Sequence, residues 1–171
     1  ALCEQATAVF RELGARVTTV DAAFENPLPL IERFKEALTH FAFQSFDEDR
    51  LALMDERIVR TIRQSRKTVS VTDHLAVEAQ RAAFGARMNT FHQSYDLLLT
   101  PTVAVPPFAA DLSQPPGYSD STEWYPFTSP FNFSRQPAAS VPCGFTRAGL
   151  PVGLQIVGPA HADLLVLQAA H

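Results

Sequence analysis

Proline and charge divide this chain near residue 95, and that division constrains its fold more than any single motif. Residues 1–95 carry 12 of the 14 lysines and arginines and 13 of the 18 acids, whereas residues 96–171 carry 11 of the 13 prolines and only seven charged side chains. The first part therefore reads as charged amphipathic helices with one short strand. The second reads as buried strands, a long proline-rich loop and a terminal helix. A segment so poor in charge expects apolar neighbours, so the 171 residues are expected to form a single portion of a larger domain, cut at both ends.

Composition removes several classes. With 46% hydrophobic and 19% charged residues the chain can bury a core, which excludes disorder and fibrous architectures. No apolar run reaches the ~20 residues needed to span a bilayer, and no signal-peptide pattern is present. A net charge of −4 argues against direct nucleic-acid binding. Two cysteines, Cys3 and Cys143, exclude a disulfide scaffold and a Cys-rich zinc site, and fit a reducing, cytoplasmic setting.

Along the chain, Leu2, Ala6, Val9, Phe10 and Leu13 recur at helical spacing up to Gly14, a helix-ending glycine. The β-branched stretch Arg16 to Val20 predicts a short strand. After the break at Asn26-Pro27-Leu28-Pro29, an apolar face of Ile31, Phe34, Leu38 and Phe41 predicts a helix to about Phe43. Asp49 or its acidic neighbours can cap one helix over 50–66. Its arginines read as a solvated face rather than a phosphate site. Thr72 and Asp73 start a helix that runs to about Gln93, with Leu75, Ala79, Ala82, Ala83, Ala86 and Phe91 inward. Asp96 to Thr100 has the pattern of a buried strand of the parallel-sheet type. Residues 101–126 form a long irregular loop. Strands at 138–142 and 152–158 follow, joined by a turn at Arg147-Ala148-Gly149, and then a helix over 162–171 with Leu164, Leu165, Leu167 and Gln168 inward.

Chemistry is sparse. Neither G-x-G-x-x-G nor G-x-x-x-x-G-K-[ST] occurs, so nucleotide binding has no support. No His pair has metal-ligand spacing, and neither a metal nor a cofactor is expected. Ser119, in Gly117-Tyr118-Ser119-Asp120-Ser121, lacks both the second glycine and the preceding strand of a nucleophile elbow. Cys143 follows an apolar strand, where a thiol packs as a small buried hydrophobe. Taken alone, these residues compose no catalytic set.

Three stretches nevertheless form an ordered series. Tyr95-Asp96-Leu97-Leu98-Leu99-Thr100-Pro101-Thr102 is the first. Phe127 to Asn132, continuing into Gln136-Pro137-Ala138-Ala139-Ser140-Val141-Pro142-Cys143-Gly144, is the second, and Gly149 to Gly158 the third. In order and approximate spacing they resemble the motifs of the amidase signature family, and residues 1–22 resemble the helix and strand that follow that family's central region. The resemblance implies an α/β fold with a mixed central sheet and helices on both faces, of which this chain is the C-terminal portion. It implies hydrolysis of a carboxylic amide C–N bond by serine-nucleophile acyl transfer.

That chemistry uses two serines and a lysine in a Gly/Ser-rich context that this chain lacks. Neither Lys35 nor Lys67 stands in the family's lysine context. No catalytic residue is therefore assigned here, the catalytic set being expected in an N-terminal half, and the chain alone is expected to be inactive. Trp124, Tyr125 and Phe131 are expected to line a wall of the substrate pocket. Asn132 is expected to tie loop backbone together. The family's usual glycine two residues before Pro137 is replaced by Arg135. Tyr125 stands where the amidotransferase branch tends to carry an acid, with Glu123 two residues away, which favours a plain amidase. The alternatives are the catalytic A subunit of a tRNA-dependent glutamine amidotransferase and a non-enzymatic binding module. The expected partners are a small amide substrate, the N-terminal half of the same domain, and a second copy in a homodimer. Nucleic acid and membrane are not expected partners.

Overall fold

The structure is a computed structural model and describes residues 1–21, 25–68, 70–112, 114–118 and 124–171; Ser119 and Glu123 lie outside the described residues. In chain order the elements are α1 (Leu2–Glu12), α2 (Leu28–Phe43), α3 (Glu48–Leu51), α4 (Glu56–Thr68), α5 (Val71–Phe91), β1 (Leu98–Pro101), α6 (Ser129–Ser134), β2 (Ala138–Phe145), β3 (Pro151–Val157) and α7 (Asp163–Ala170). They divide into two units, one of residues 1–25 and 85–171, the other of residues 26–84.

The first unit is built on a three-stranded antiparallel sheet of order β1-β3-β2. The apolar run of β3 takes the centre, where both neighbours satisfy its backbone, and Leu154, Ile156 and Val157 are buried. β2 and β3 form a hairpin. Thr146 N–H donates to Leu150 O at 2.8 Å, and Gly149 turns the chain at φ +76°. β1 pairs antiparallel with β3, from Leu98 opposite Val157 to Pro101 opposite Leu154. The parallel pattern expected from its apolar sequence is thus corrected. A run of leucines reports burial on both faces, not the direction of the neighbouring strand.

α1 ends as its sequence predicts. Leu13 N–H bonds to Val9 O, Gly14 N–H bonds to Arg11 O, and Gly14 has φ +93°. The stretch Arg16 to Val20 is not a strand, because it has no ladder partner among the described residues. β-branched residues favour an extended chain, but an extended chain becomes a strand only when a neighbour takes its N–H and C=O groups. α7 packs on the sheet through Val166, with Leu165 half-buried as expected, whereas Leu164, Leu167 and Gln168, expected inward, are exposed. Gly158 decides this phase. Val166 Cγ2 fills its hollow, 2.6 Å from where a Cβ would stand.

In the second unit, Pro29 lies in the first turn of α2, as expected from its fixed φ. The single helix expected over 50–66 is two. Asp47, rather than Asp49, caps α3 by accepting from Arg50 N–H at 3.0 Å. Asp55 starts α4 by accepting from Arg57 N–H at 2.8 Å. Leu51, Val59 and Ile62 form the core beneath them, with Phe43, Phe46 and Met54 packed against it.

The arginines of this region serve the unit's own architecture. Arg66 donates to Phe43 O at 3.0 Å and to Phe46 O at 2.6 Å, satisfying carbonyls at the end of α2. Arg63 pairs with Glu48, and Arg57 with Asp55. α5 starts at Ser70, whose hydroxyl accepts from Asp73 N–H at 3.1 Å and donates to the Asp73 carboxylate, not at Thr72. Its buried residues are Val77, Phe84 and Met88, while Leu75 is 62% exposed. The alanines that pointed to the other face carry too little area to fix the phase of the helix.

Candidate functional site

A cavity of about 1220 Å³ lies in the first unit and borders β1 along Leu97 to Pro101. Leu2 and Phe10 of α1 line it, as does the extended stretch 15–21. Phe127, Phe131 and Leu154 complete its apolar part. β1 is an edge strand, and its side away from β3 has no ladder partner among the described residues.

One buried amide organises the segment above the sheet. Thr100, Gln155 and Ser140 are opposite one another across the three strands and so point to the same face. Gln155 is only 4% exposed; its Nε2 donates to Thr100 Oγ1 at 2.9 Å and to Phe127 O at 2.7 Å. A single side chain thereby pins both ends of the proline-rich segment. The next row carries a second polar contact, Thr102 Oγ1 to Ser140 Oγ at 2.6 Å, over the bare Cα of Gly153. Gln136 does similar work at the other end of α6. Its Nε2 donates to Gly158 O at 3.1 Å, and its Oε1 accepts from Ser134 Oγ at 2.9 Å. The signal for both glutamines was available in the sequence, as polar residues beside apolar strands, but their partners lie far along the chain.

The three expected pocket residues are placed differently from one another. Phe131 is buried on α6 and borders the cavity beside Phe127. Trp124 stacks edge-on against Phe108 at 5.4 Å and Tyr125 at 4.8 Å, and its carbonyl accepts from Ala104 N–H. Asn132 is exposed on α6, and among the described residues it is its backbone, accepting from Arg135 N–H, that ties the turn. Arg135 closes α6 in the left-handed region, with φ 62° and ψ 35°, where glycine is at ease and other residues are strained.

Cys143 is half-buried rather than buried, and its Sγ stands 3.8 Å from Cys3 Sγ. Burial, then the neighbouring Cys3 thiol, push the Cys143 thiol above its ordinary value. His92 Nδ1 bonds to Tyr95 O at 2.9 Å, and burial lowers its pKa against the opposing pull of that bond and of Asp96. Both lysines lie in the second unit, Lys35 bonded to Glu32 at 3.0 Å. Among the described residues no group of three or more His, Cys, Asp or Glu is placed to hold a metal ion, and no helix is long and apolar enough to cross a membrane.

An α/β portion with its ordered Pro, Gly and Gln motifs folded around one sheet defines a class, and comparison with known proteins gives it a name. The Amidase family model matches residues 4–167. An acylamidase of Rhodococcus erythropolis is 31% identical over 99% of this chain and 37% of its own length. The A subunit of a glutamyl-tRNA(Gln) amidotransferase from a Synechococcus species is 42% identical over 46% of this chain and 16% of its own. The crystal structure of a bacterial aryl acylamidase of the amidase signature enzymes superposes with a TM-score of 0.78 at 29% identity, covering 99% of this chain and 38% of that one. The chain belongs to the amidase family. It spans little more than a third of the length of the acylamidase it matches.

Proposed function

We propose that this chain is the C-terminal portion of an amidase that cleaves a carboxylic amide C–N bond by serine-nucleophile acyl transfer, with the two serines and the lysine in an N-terminal half. The observation that carries this is the similarity to an acylamidase over 99% of the chain. The amidotransferase relative matches over less than half of it, and Tyr125 at the position of that branch's acid points the same way. A non-enzymatic module is the remaining reading. In the reaction the serine oxygen bonds to the acyl carbon, the amine leaves with a proton, and water releases the acid.

The N-terminal half is the proposed partner of the open side of β1. Unpaired strand backbone and a cavity with apolar walls fit further strands of the same domain. Phe131 supplies apolar wall for the substrate, with Trp124 and Tyr125 supporting the loop above it. A cytoplasmic location and a homodimer belong to the same proposal.

The test is the full-length protein carrying this sequence, assayed on an aryl acylamide and on glutamine. Arylamine release that a serine-directed inhibitor abolishes supports the amidase. Ammonia release from glutamine alone supports the amidotransferase, and neither activity leaves the binding module. The 171-residue chain by itself is expected to turn over nothing.

A further inference from the structure

The two cysteines stand 140 positions apart in sequence and meet in space, Cys3 in the first turn of α1 and Cys143 on β2. Their sulfurs are 3.8 Å apart, and Cys3 Sγ also faces Gly153 O at 3.7 Å. A disulfide needs about 2.05 Å, so the sulfurs must close by about 1.8 Å.

Cys143 sits where the backbone yields. The ladder of β2 slips between Pro142 and Gly144, which leaves Cys143 out of register with β3. Both thiols are partly exposed, so a small reagent reaches them. We propose that Cys3 and Cys143 form an intramolecular disulfide site, a redox clamp that fastens α1, one wall of the cavity, to the sheet. This inference is independent of the proposed reaction.

The oxidant is a low-molecular-weight disulfide such as glutathione disulfide. The Cys3 thiolate attacks one of its sulfurs; a Cys3–glutathione S–S bond forms and the reagent's own S–S bond breaks. The departing glutathione thiolate takes up the proton lost from Cys3. Cys143 then attacks the Cys3 sulfur and expels the second glutathione, which takes the Cys143 proton. The protein loses two electrons and two hydrogens, and the reagent gains both. The raised pKa of Cys143 makes it the poorer first nucleophile and fits it to this second step.

The test equilibrates the full-length protein carrying this sequence, with any cysteine outside these 171 residues replaced by serine, with glutathione disulfide in native buffer and in urea. Expected in native buffer are a protein lighter by two hydrogen atoms, loss of both maleimide-reactive thiols, and a thermal midpoint raised by about 5 °C that dithiothreitol reverses. In urea the intramolecular bond should form less favourably against the same reagent. Cys3→Ser and Cys143→Ser should each stop at one glutathione adduct per chain. Stable glutathione adducts on the native wild type, disulfides between chains, a bond as favourable in urea as in buffer, or an unchanged midpoint would each overturn the proposal.

Discussion

Replacing Gly153 by alanine should cost this protein about 2 kcal/mol, through a collision that the sheet makes hard to avoid. A Cβ at Gly153 would stand 2.7 Å from both Ser140 Oγ and Thr102 Oγ1, and 3.3 Å from Thr102 Cβ. These hydroxyls are themselves in contact at 2.6 Å. Gly153 lies on the central strand, and its carbonyl accepts from Thr102 N–H at 3.0 Å, which holds its backbone beside the very residue that its Cβ would meet. Ser140 is exposed and can rotate away, but Thr102 is β-branched and stiff.

Overpacking of this kind costs about 1–3 kcal/mol, and separating the two hydroxyls adds about 0.5–1 kcal/mol. The narrower unfolded ensemble of alanine returns about 0.5–1 kcal/mol. The net loss of about 2 kcal/mol lowers Tm by about 4–8 °C in a chain of this size. Thermal unfolding read by circular dichroism measures it, with Gly85→Ala as the control. Gly85 is in α5 with nothing within 4 Å of its Cβ position, and alanine there should gain about 0.5–1 kcal/mol. Adding Ser140→Ala to Gly153→Ala should recover part of the loss, as a coupling of at least about 0.5 kcal/mol. A Gly153→Ala protein within about 0.5 kcal/mol of the parent, or a double variant that is simply additive, would refute the reasoning.

Arg135→Gly should raise stability by about 0.5–1 kcal/mol in urea unfolding, because it relieves a left-handed residue worth more than the unfolded-state entropy that glycine adds. Arg66→Met keeps the apolar stem but removes the side-chain donor to the Phe46 carbonyl and one of two donors to that of Phe43, which still accepts from Phe46 N–H, and should cost about 1–2 kcal/mol by the same measurement. His92, with its pKa lowered by burial, binds its proton more readily in the unfolded chain. Its contribution is whole above the ordinary value of 6.5 and is lost as pH falls below it. Tm should drop over that range, and His92→Asn, which keeps a donor for Tyr95 O, should flatten the drop. Leu13, Phe41, Leu53, Phe145, Leu164 and Leu167 are largely exposed, so the isolated chain should self-associate with concentration and bind a hydrophobic dye; sedimentation as a dye-silent monomer would contradict this.

Local physics determined what the sequence alone made legible. Gly14 ends α1 and Gly149 turns the hairpin because only glycine takes those φ values freely, and Pro29 enters α2 at the turn where its missing N–H costs nothing. The three motif stretches carried the family. What remained was decided by partners distant in sequence.

The direction of β1 came from β3, and the stretch 16–20 has no ladder partner among the described residues because a strand is a property of two segments. α5 and α7 took their inward faces from what they pack on, Val166 above all from the hollow at Gly158. Gln155 was one polar letter in an apolar strand until folding set it between Thr100 and Phe127. Cys3 and Cys143, separated by almost the whole chain, became a pair only when α1 lay down on the sheet.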